Sequence, residues 1–403
     1  MEEHNKPKMH KKVYVYSGGC SSSQVGGQRL VNYFRMNGYE SVTDPRAADL
    51  IVLNTCAFDK TSEDSSIERI KKFKEINPRA QMVVGGCLPG INGERMGTVH
   101  NGVYFSPVDL RSGHNSLDEL VKPEIIPIFR VKRPILVEKR RDWTMVERFP
   151  AFDCHEARDG LAALPSGYDE NAATIEIAEG CLGNCSYCGI KKARGKLKSA
   201  PLEEVISSFK EGLEMGIRSF RIWADDIGAY GQDIGTDLSI LMSELLKCKG
   251  DYVLEVLASN PPRFVELYDK LLPSLQDKRI ESFTVSVQSG SKDVLRRMNR
   301  PIDLDKLIHC FRDLREKAPH LDIRTHYMVG FPGESWEEFY STIEFMKKTK
   351  IFKGHVLKFD AKPNTEAKEM AGQIDDSIKE IRERILNDLI EYGSKVYSDG
   401  KTY

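Results

Sequence analysis

The first hundred residues alternate short apolar runs with amphipathic stretches. Apolar runs at 12–16, 50–53 and 82–84 predict three strands, and the second has no polar position, which is typical of a buried parallel strand. Between them, apolar residues at helical spacing predict helices over 24–36 and 62–75. A strand-helix-strand-helix-strand order predicts a doubly wound parallel sheet. We therefore expect residues 1–120 to form an N-terminal α/β domain.

A second series of strand and helix signals extends over residues 171–375. The predicted strands cover 173–177, 219–223, 252–257, 283–287, 323–329 and 355–360. A helix over 334–348 carries one apolar face, formed by Trp336, Phe339, Tyr340, Ile343 and Met346. Successive β–α units predict a (β/α) barrel, and about 200 residues is short for eight units. The expected fold is therefore a partial (β/α)6 barrel.

The periodic pattern is lost over residues 121–170, which we interpret as an interdomain linker with some extended pieces. Five prolines interrupt it, at positions 123, 127, 134, 150 and 165. Lys132-Arg133 and Lys139-Arg-Arg141 make it locally basic, which indicates a solvated face, with an RNA site as the alternative. The final segment, 376–403, is predicted to be an amphipathic helix over 377–396 followed by a short tail.

Composition narrows the class of protein. The chain has 403 residues, a net charge of −1 and nine cysteines. The length predicts two or three domains, and the neutral charge gives no overall attraction to nucleic acid or membrane. The N-terminus lacks an apolar signal segment, and no run of about 18 apolar residues appears. We expect a cytoplasmic protein without membrane association, whose cysteines bind metal or do chemistry rather than form disulfides.

Three of the cysteines, Cys20, Cys56 and Cys87, each follow one of the first three predicted strands. In a parallel open sheet the loops after the strands share one edge, where ligands bind. Gly-Gly pairs at 18–19 and 85–86 directly precede two of them and allow close approach of the backbone to a ligand. The alternative is three unrelated core residues, since free cysteine is often buried. Three equivalent placements favour a shared ligand.

A second set lies in the stretch EGCLGNCSYCG, where Cys181, Cys185 and Cys188 form a C-x3-C-x2-C run. The run follows the predicted strand 173–177, at the barrel mouth where active sites form. A structural zinc site needs four ligands, and no pair of Cys or His at finger spacing completes this one. An iron–sulfur cube takes one thiolate per iron, so three cysteines leave one iron open. This favours a catalytic cluster over the alternative, oxidised structural cysteines.

This run, with an aromatic Tyr187 before its last cysteine, resembles the signature of radical S-adenosylmethionine (SAM) enzymes. The resemblance implies that SAM chelates the open iron through its amine and carboxylate. An electron from the cluster then cleaves SAM to a 5′-deoxyadenosyl radical, which abstracts hydrogen from the substrate. Such chemistry belongs to the cofactor, while the protein aims it and excludes water.

A wider resemblance, over residues 12–372, is to the methylthiotransferases, which join a three-cysteine α/β domain to a radical SAM barrel. Their N-terminal motifs are similar to Asn54-Thr-Cys56 and Gly85-Gly-Cys87. Their barrel motifs are similar to Arg194-Gly195, to the stretches 288–291, 329–334 and 359–363, and to Thr365 and Met370.

The resemblance implies two [4Fe-4S] clusters, one on each cysteine set, together with SAM. The auxiliary cluster on Cys20, Cys56 and Cys87 carries a sulfur that one SAM methylates, and a second SAM supplies the radical. An alternative is an auxiliary cluster that only relays electrons or binds substrate. An electron donor such as flavodoxin or ferredoxin is an expected partner.

Five further side chains are expected to bind cofactor, and no catalytic residue is assigned. They are Tyr187, Arg194, Asp225, Gln288 and Ser289. For Asp225 and its neighbour Asp226, a solvated loop is the alternative. Cys248 and Cys310 are interpreted as packing residues, and the pair Cys154-His155 as incidental.

The sequence departs from the family pattern in four places. Ser23 stands where the family has asparagine, Ala200 where it has arginine, and Ala224-Asp-Asp226 where it has Gly-Gln-Asn. The changes at Ala200 and at Ala224-Asp-Asp226 weaken the carry-over of SAM contacts from the family. After Met370 there is one predicted helix, so the small C-terminal TRAM barrel that helps these enzymes to hold substrate is expected to be absent.

The predicted function is methylthio transfer to a C–H bond of a macromolecule. The neutral charge favours a polypeptide side chain, in a protein or a ribosomally made precursor peptide, over the tRNA adenosine beside the anticodon. A second alternative is a radical SAM peptide maturase whose auxiliary cluster donates no sulfur. A non-enzymatic iron or redox sensor is a third.

Overall fold

The computed structural model describes residues 11–112, 115–122, 126–139 and 171–398, and the chain divides into two compact units. The first unit comprises Met1–Pro134 and Gly189–Gly195, and the second comprises Ile135–Cys188 and Lys196–Tyr403. Much of the segment predicted as a linker, including Cys154, His155 and Arg141, lies outside the described residues.

The first unit is built on a four-stranded parallel sheet with strand order β2-β1-β3-β4. Its strands are β1 (Lys12–Ser17), β2 (Glu40–Ser41), β3 (Leu50–Thr55) and β4 (Gln81–Gly86). Its helices are α1 (Ser21–Met36), α2 (Lys60–Ile76), α3 (Cys87–Gly97), α4 (Ser116–Val121) and α5 (Ile190–Arg194). Every residue of β3 is buried, as the unbroken apolar run predicts for a central parallel strand. The predicted doubly wound sheet is confirmed.

The helix α1 begins three residues earlier than predicted. Cys20 occupies its N-cap with an extended backbone, and the three serines that follow are already helical. The pattern hid this turn because serine carries no apolar signal. The buried face of α1 comprises the predicted Val25, Leu30, Tyr33 and Phe34.

The second unit contains a seven-stranded sheet with the order β13-β12-β11-β10-β9-β6-β5. Six of these strands are parallel, and β5 pairs antiparallel with β6 at one edge. The seven strands are β5 (Leu136–Lys139), β6 (Asn171–Glu176), β9 (Ser219–Trp223), β10 (Val253–Ser259), β11 (Ile280–Val285), β12 (Asp322–Val329) and β13 (Gly354–Lys358). The six parallel strands confirm the predicted partial barrel.

A two-stranded antiparallel ribbon, formed by β7 (Ala178–Glu179) and β8 (Lys198–Ser199), frames the cysteine-rich loop. The remaining helices pack around the large sheet. They are α6 (Leu202–Glu214), α7 (Leu238–Lys247), α8 (Pro261–Leu275), α9 (Lys292–Arg297), α10 (Leu304–Lys317), α11 (Trp336–Thr349), α12 (Glu366–Glu369) and α13 (Asp376–Ser398).

One predicted helix face is only partly correct. On α11 the side chains of Phe339, Ile343 and Met346 are buried, but Trp336 and Tyr340 are 39% and 56% exposed. The apolar face of α11 is wider than the part of the helix that packs against the sheet, so its outer side chains stay exposed. Arg382 of α13 lies over the Trp336 ring at 4.7 Å and so shields part of it.

The two cysteines predicted to be packing residues lie in the second unit, with Cys310 buried in α10 and Cys248 partly buried at the end of α7.

Among the described residues, no helix has the length and apolar content that crossing a membrane requires.

Candidate functional site

The first cysteine set lies at the carboxyl edge of the four-stranded sheet. Cys20 is the N-cap of α1, Cys56 directly follows β3, and Cys87 directly follows β4 at the first position of α3. Burial, followed by the nearby thiols of Cys20 and Cys87, raises the pKa of Cys56 to about 12. The electrostatic effect of Cys20 and Cys87 on Cys56 shows that the three thiols lie near one another at this edge.

The backbone beside this set requires glycine at two positions. Gly86 has φ of +97°, and a Cβ there would lie 2.2 Å from the Thr55 carbonyl oxygen. Gly19 has φ of +104°, and its Cβ would lie 2.8 Å from the Cβ of Cys56. The Gly-Gly pairs of the sequence thus bring the turns that carry Cys20 and Cys87 close to the end of β3.

Ser23, the residue that departs from the family pattern, ties the first turn together. Its hydroxyl donates to the Gly18 carbonyl over 2.8 Å, and its own carbonyl accepts from the Asn54 amide over 2.6 Å. The same Asn54 amide donates to Ser17 Oγ over 3.0 Å. Serine is therefore sufficient to link the end of β3 with the turn that holds Cys20.

Arg194 packs within this same unit. The segment 189–195 belongs to the first unit, and the buried Arg194 guanidinium donates a hydrogen bond to the Ser22 hydroxyl, two residues after Cys20. The sequence predicted a cofactor contact for Arg194, and the structure places its positive charge next to the turn of the first cysteine set.

The second cysteine set lies in the loop between β7 and β8. The Gly183 N–H donates to Cys181 Sγ over 3.1 Å, and Arg300 Nη1 donates to Cys185 Sγ over 3.3 Å. Burial, followed by the charge of Asp226, raises the pKa of Cys181 to about 12, with smaller contributions from Cys185 and Cys188. These three thiols also occupy one site.

Two carboxylates just after β9 lie near this loop. Asp225 accepts a hydrogen bond from the Gly180 N–H over 2.7 Å, directly before the first cysteine. Asp226 is buried and accepts from the Asn260 N–H over 3.0 Å, and burial raises its pKa. The alternative of a solvated loop is therefore wrong for Asp226, which is buried. Asp225 holds the start of the cysteine loop through its bond to Gly180.

The other predicted cofactor residues lie around the barrel mouth. Tyr187 packs edge-to-face on Phe331 with centroids 6.5 Å apart. Ser289 Oγ lies 3.3 Å from Thr342 Oγ1 and accepts from the Ser291 N–H, so its hydroxyl serves the local turn. Gln288 has φ of +70°, a strained backbone for a residue with a side chain.

Three buried polar atoms at consecutive strand ends have no hydrogen-bond partner in the described part of the protein. They are Trp223 Nε1 at the last position of β9, Asn260 Oδ1 after β10 and Gln288 Oε1 after β11. Buried polar atoms without partners are costly, so these atoms fit a polar ligand at the carboxyl edge of the sheet. A multiply polar cofactor such as SAM matches this set.

The sequence did not single out Trp223, Asn260 or Arg300. Trp223 ends the predicted strand 219–223, and Asn260 lies three residues after the predicted strand 252–257. Position at a strand end of a β/α barrel was the available signal for both. Arg300 lies in a turn after α9, and nothing in the linear pattern connects it with Cys185.

Beside its apolar core, the second unit buries several charged and polar side chains. Glu255 is buried and accepts from Arg221 over 3.0 Å and from Arg324 over 3.1 Å. His326 and His355 stack with centroids 5.6 Å apart, and Ser286 Oγ lies 2.8 Å from His326 Nδ1. Burial, followed by His355 and Arg300, lowers the pKa of His326 to about 4.

The donor chemistry fits iron–sulfur clusters. None of the eight cysteines in the described ranges forms a disulfide, which does not match the alternative of oxidised structural cysteines. Over the same residues, no three His, Cys, Asp or Glu side chains converge on a single metal ion. Each cysteine of a cubane binds a different iron, so its ligands stand further apart than those of one zinc ion.

Comparison with known proteins identifies the family. The Radical SAM superfamily model matches residues 175–346, and the model of uncharacterized protein family UPF0004 matches residues 12–105. A probable threonylcarbamoyladenosine tRNA methylthiotransferase of Pyrococcus abyssi (strain GE5 / Orsay) is 30% identical over 93% of this chain and 83% of that protein. The chain belongs to the radical SAM methylthiotransferase family. It is an enzyme of that class, whose members use SAM and two [4Fe-4S] clusters.

Two further similarities extend this result. The ribosomal protein uS12 methylthiotransferase RimO of Clostridium perfringens (strain SM101 / Type A) is also 30% identical, over 92% of this methylthiotransferase and 80% of RimO. Among solved structures, the radical SAM methyltransferase TsrM of Kitasatospora setae has a TM-score of 0.58 at 13% identity, covering 88% of this chain and 74% of TsrM. That likeness supports the fold alone.

Proposed function

We propose that this methylthiotransferase inserts a methylthio group at a C–H bond of a polypeptide side chain, in a protein or a precursor peptide. The chemistry rests on one observation: each unit gathers three cysteines at the carboxyl edge of its own parallel sheet. Two sites that each leave one iron without a protein ligand provide separate places for sulfur and for SAM.

The six cysteines are the proposed ligands. Cys20, Cys56 and Cys87 would hold the auxiliary cluster, and Cys181, Cys185 and Cys188 would hold the cluster that binds SAM. When bound, these groups supply the sulfur, methyl and radical chemistry of the reaction. The chain itself holds the cysteine loops, through Asn54 in the first unit and Asp225 in the second.

SAM would lie over the strand ends of the second unit. The unpartnered Trp223 Nε1 is a donor, while Asn260 Oδ1 and Gln288 Oε1 are acceptors, which suits a ligand with both kinds of polar group. Tyr187, directly before Cys188, would complete this pocket.

A flavodoxin or ferredoxin is the proposed class of electron donor.

Charge supports the choice of a polypeptide substrate. Proteins that bind RNA neutralise phosphates with Lys and Arg, and this chain has 59 Lys and Arg residues against 60 Asp and Glu. The relative RimO is named for action on ribosomal protein uS12. The tRNA alternative has support of its own, because the Pyrococcus relative, equally similar, is named for a tRNA nucleoside.

A direct comparison of substrates tests the proposal. The anaerobically reconstituted enzyme receives SAM and dithionite with either recombinant uS12 or total tRNA, and products are read by mass spectrometry. A gain of one CH2S unit on uS12 supports the polypeptide proposal, whereas the same gain on a tRNA nucleoside, with binding that weakens steeply as salt rises, contradicts it. Loss of two hydrogens from the polypeptide would instead support the maturase alternative.

A further inference from the structure

An arginine outside every predicted motif contacts the second cysteine set. Arg300 Nη1 donates to Cys185 Sγ over 3.3 Å, and Arg300 Nη2 donates to the Ser286 carbonyl, just after β11, over 2.7 Å. The two bonds hold the guanidinium between the sheet and the thiol. The orientation of the Arg300 guanidinium is therefore set by hydrogen bonds within the protein.

The turn that carries Arg300 also fastens the cysteine loop. Ser186 N–H donates to the Met298 carbonyl over 3.0 Å, and Ser186 Oγ donates to the Arg297 carbonyl over 2.8 Å. The Asn299 amide donates to the Asn184 carbonyl over 2.7 Å, with Asn299 in the left-handed backbone region. These three hydrogen bonds fasten the turn that carries Arg300 to the loop that carries Cys185.

The charge of this arginine is permanent. A guanidinium is not deprotonated in proteins, so Arg300 carries its positive charge at every working pH. Arg300 is also among the groups that lower the pKa of His326. A cation at this place acts on every charged group at the barrel mouth.

We propose that Arg300 sets the reduction potential of the cluster bound by Cys181, Cys185 and Cys188, through its hydrogen bond to the Cys185 sulfur. The inference rests on the proposed ligand role of those cysteines. Hydrogen bonds to cluster sulfurs and the local net charge determine the potential of such clusters. A cation stabilises the reduced cluster, which carries one more negative charge, and so raises its potential.

Arg300 is a positioning and electrostatic residue in this proposal. Replacement by methionine removes both the charge and the donor, whereas lysine keeps the charge but cannot donate to Cys185 and Ser286 with a planar fork. The expected order of potentials is therefore wild type, then Arg300→Lys, then Arg300→Met as the most negative. Arg296→Met, an exposed arginine paired with Asp293, is the matched control.

The experiment is a redox titration of the reconstituted full chain with dithionite, monitored by electron paramagnetic resonance. The signal that changes on addition of SAM reports the cluster of the second unit. At the wild-type midpoint, Arg300→Met is expected to lower the ratio of reduced to oxidised cluster about tenfold, or ~59 mV for one electron. Arg296→Met is expected to titrate like the wild type.

The outcomes separate this inference from the proposed function. A SAM-responsive cluster whose midpoint is the same in the wild type, Arg300→Lys and Arg300→Met overturns the inference while leaving the proposed ligands in place. If the reconstituted wild type shows no signal that responds to SAM, both the proposed function and this inference are wrong. If Arg300→Met does not retain its cluster, the lysine variant decides, because its shift to a more negative midpoint is required.

Discussion

Arg382 on the last helix donates a hydrogen bond of 2.6 Å to the carboxylate of Glu334, and both side chains are buried. The same carboxylate accepts from the Gly330 N–H over 2.7 Å, so it joins both ends of the motif Gly330–Glu334. Burial raises the pKa of Glu334, and the cation of Arg382 opposes that shift. The helix α13 is thereby connected to the loop after β12.

Replacing Arg382 by methionine leaves the Glu334 carboxylate buried without its cation. Breaking a buried ion pair in this way costs about 3–5 kcal/mol of unfolding free energy. Urea and thermal unfolding followed by circular dichroism measure the loss. Glu380→Ala is the control on the same helix, because the Glu380–Lys358 pair is long at 3.6 Å and exposed. Equal stability of Arg382→Met and Glu380→Ala would show that the buried pair has no structural role.

Iron content distinguishes the two cysteine sets. The reconstituted wild type is expected to bind about eight irons per chain, since each cubane holds four. Cys20, Cys56 and Cys87 replaced together by alanine should leave about four irons and cleavage of SAM to 5′-deoxyadenosine, without methylthio product. Cys248→Ala serves as a cysteine control with full iron content. Four irons in the wild type, unaffected by the triple replacement, would remove the two-cluster assignment.

The glycine before Cys87 should not tolerate a side chain. In Gly86→Ala the new Cβ meets the Thr55 carbonyl at 2.2 Å, and φ of +97° is strained for alanine. We expect a loss of about 2 kcal/mol or more in unfolding free energy, and loss of iron from the first cysteine set, because Cys87 must shift. Gly97→Ala, at the end of the same helix with no atom within 4 Å of its Cβ, should keep both properties. Full iron content in Gly86→Ala would contradict this account.

Acid should destabilise the second unit through His326. Its folded pKa is lowered to about 4, from an ordinary value of 6.5, by burial first and then by His355 and Arg300. The unfolded chain therefore binds a proton that the folded protein excludes, so the stabilising contribution is complete above pH 6.5 and is lost as the pH falls toward 4. The loss amounts to about 3 kcal/mol.

Unfolding by urea between pH 7 and pH 4 tests this dependence. His326→Gln is expected to flatten the curve in that window, since the variant has no proton to gain on unfolding at this position. His309→Gln, at an exposed position of α10, should retain the wild-type slope. Parallel curves for the wild type and His326→Gln would indicate that another group governs acid stability.

Residue patterns predicted a large part of this molecule because they reflect local geometry. The apolar run 50–53 requires a strand buried on both faces, and β3 is buried throughout. Placing Cys20, Cys56 and Cys87 after parallel strands was sufficient to bring them to one edge, since parallel strands share their carboxyl ends. The C-x3-C-x2-C spacing indicated a cluster with one open iron, and the resemblance to radical SAM enzymes implied the chemistry at that iron. The ligand roles of these cysteines, and the domain boundaries, stay predictions.

Other features depend on contacts between residues distant in sequence. Whether Trp336 is covered depends on how much of α11 the sheet reaches, and Glu255 is buried only because β9 and β12 present two arginines to it. Arg300 and Cys185 are separated by 115 positions. A hydrophobic pattern along the sequence cannot predict that the turn after α9 contacts the loop after β7. Sequence alone determined the elements and the donor atoms, through propensity and spacing. Tertiary structure decided which charges face those donors, because burial and orientation arise only when the strands pack together.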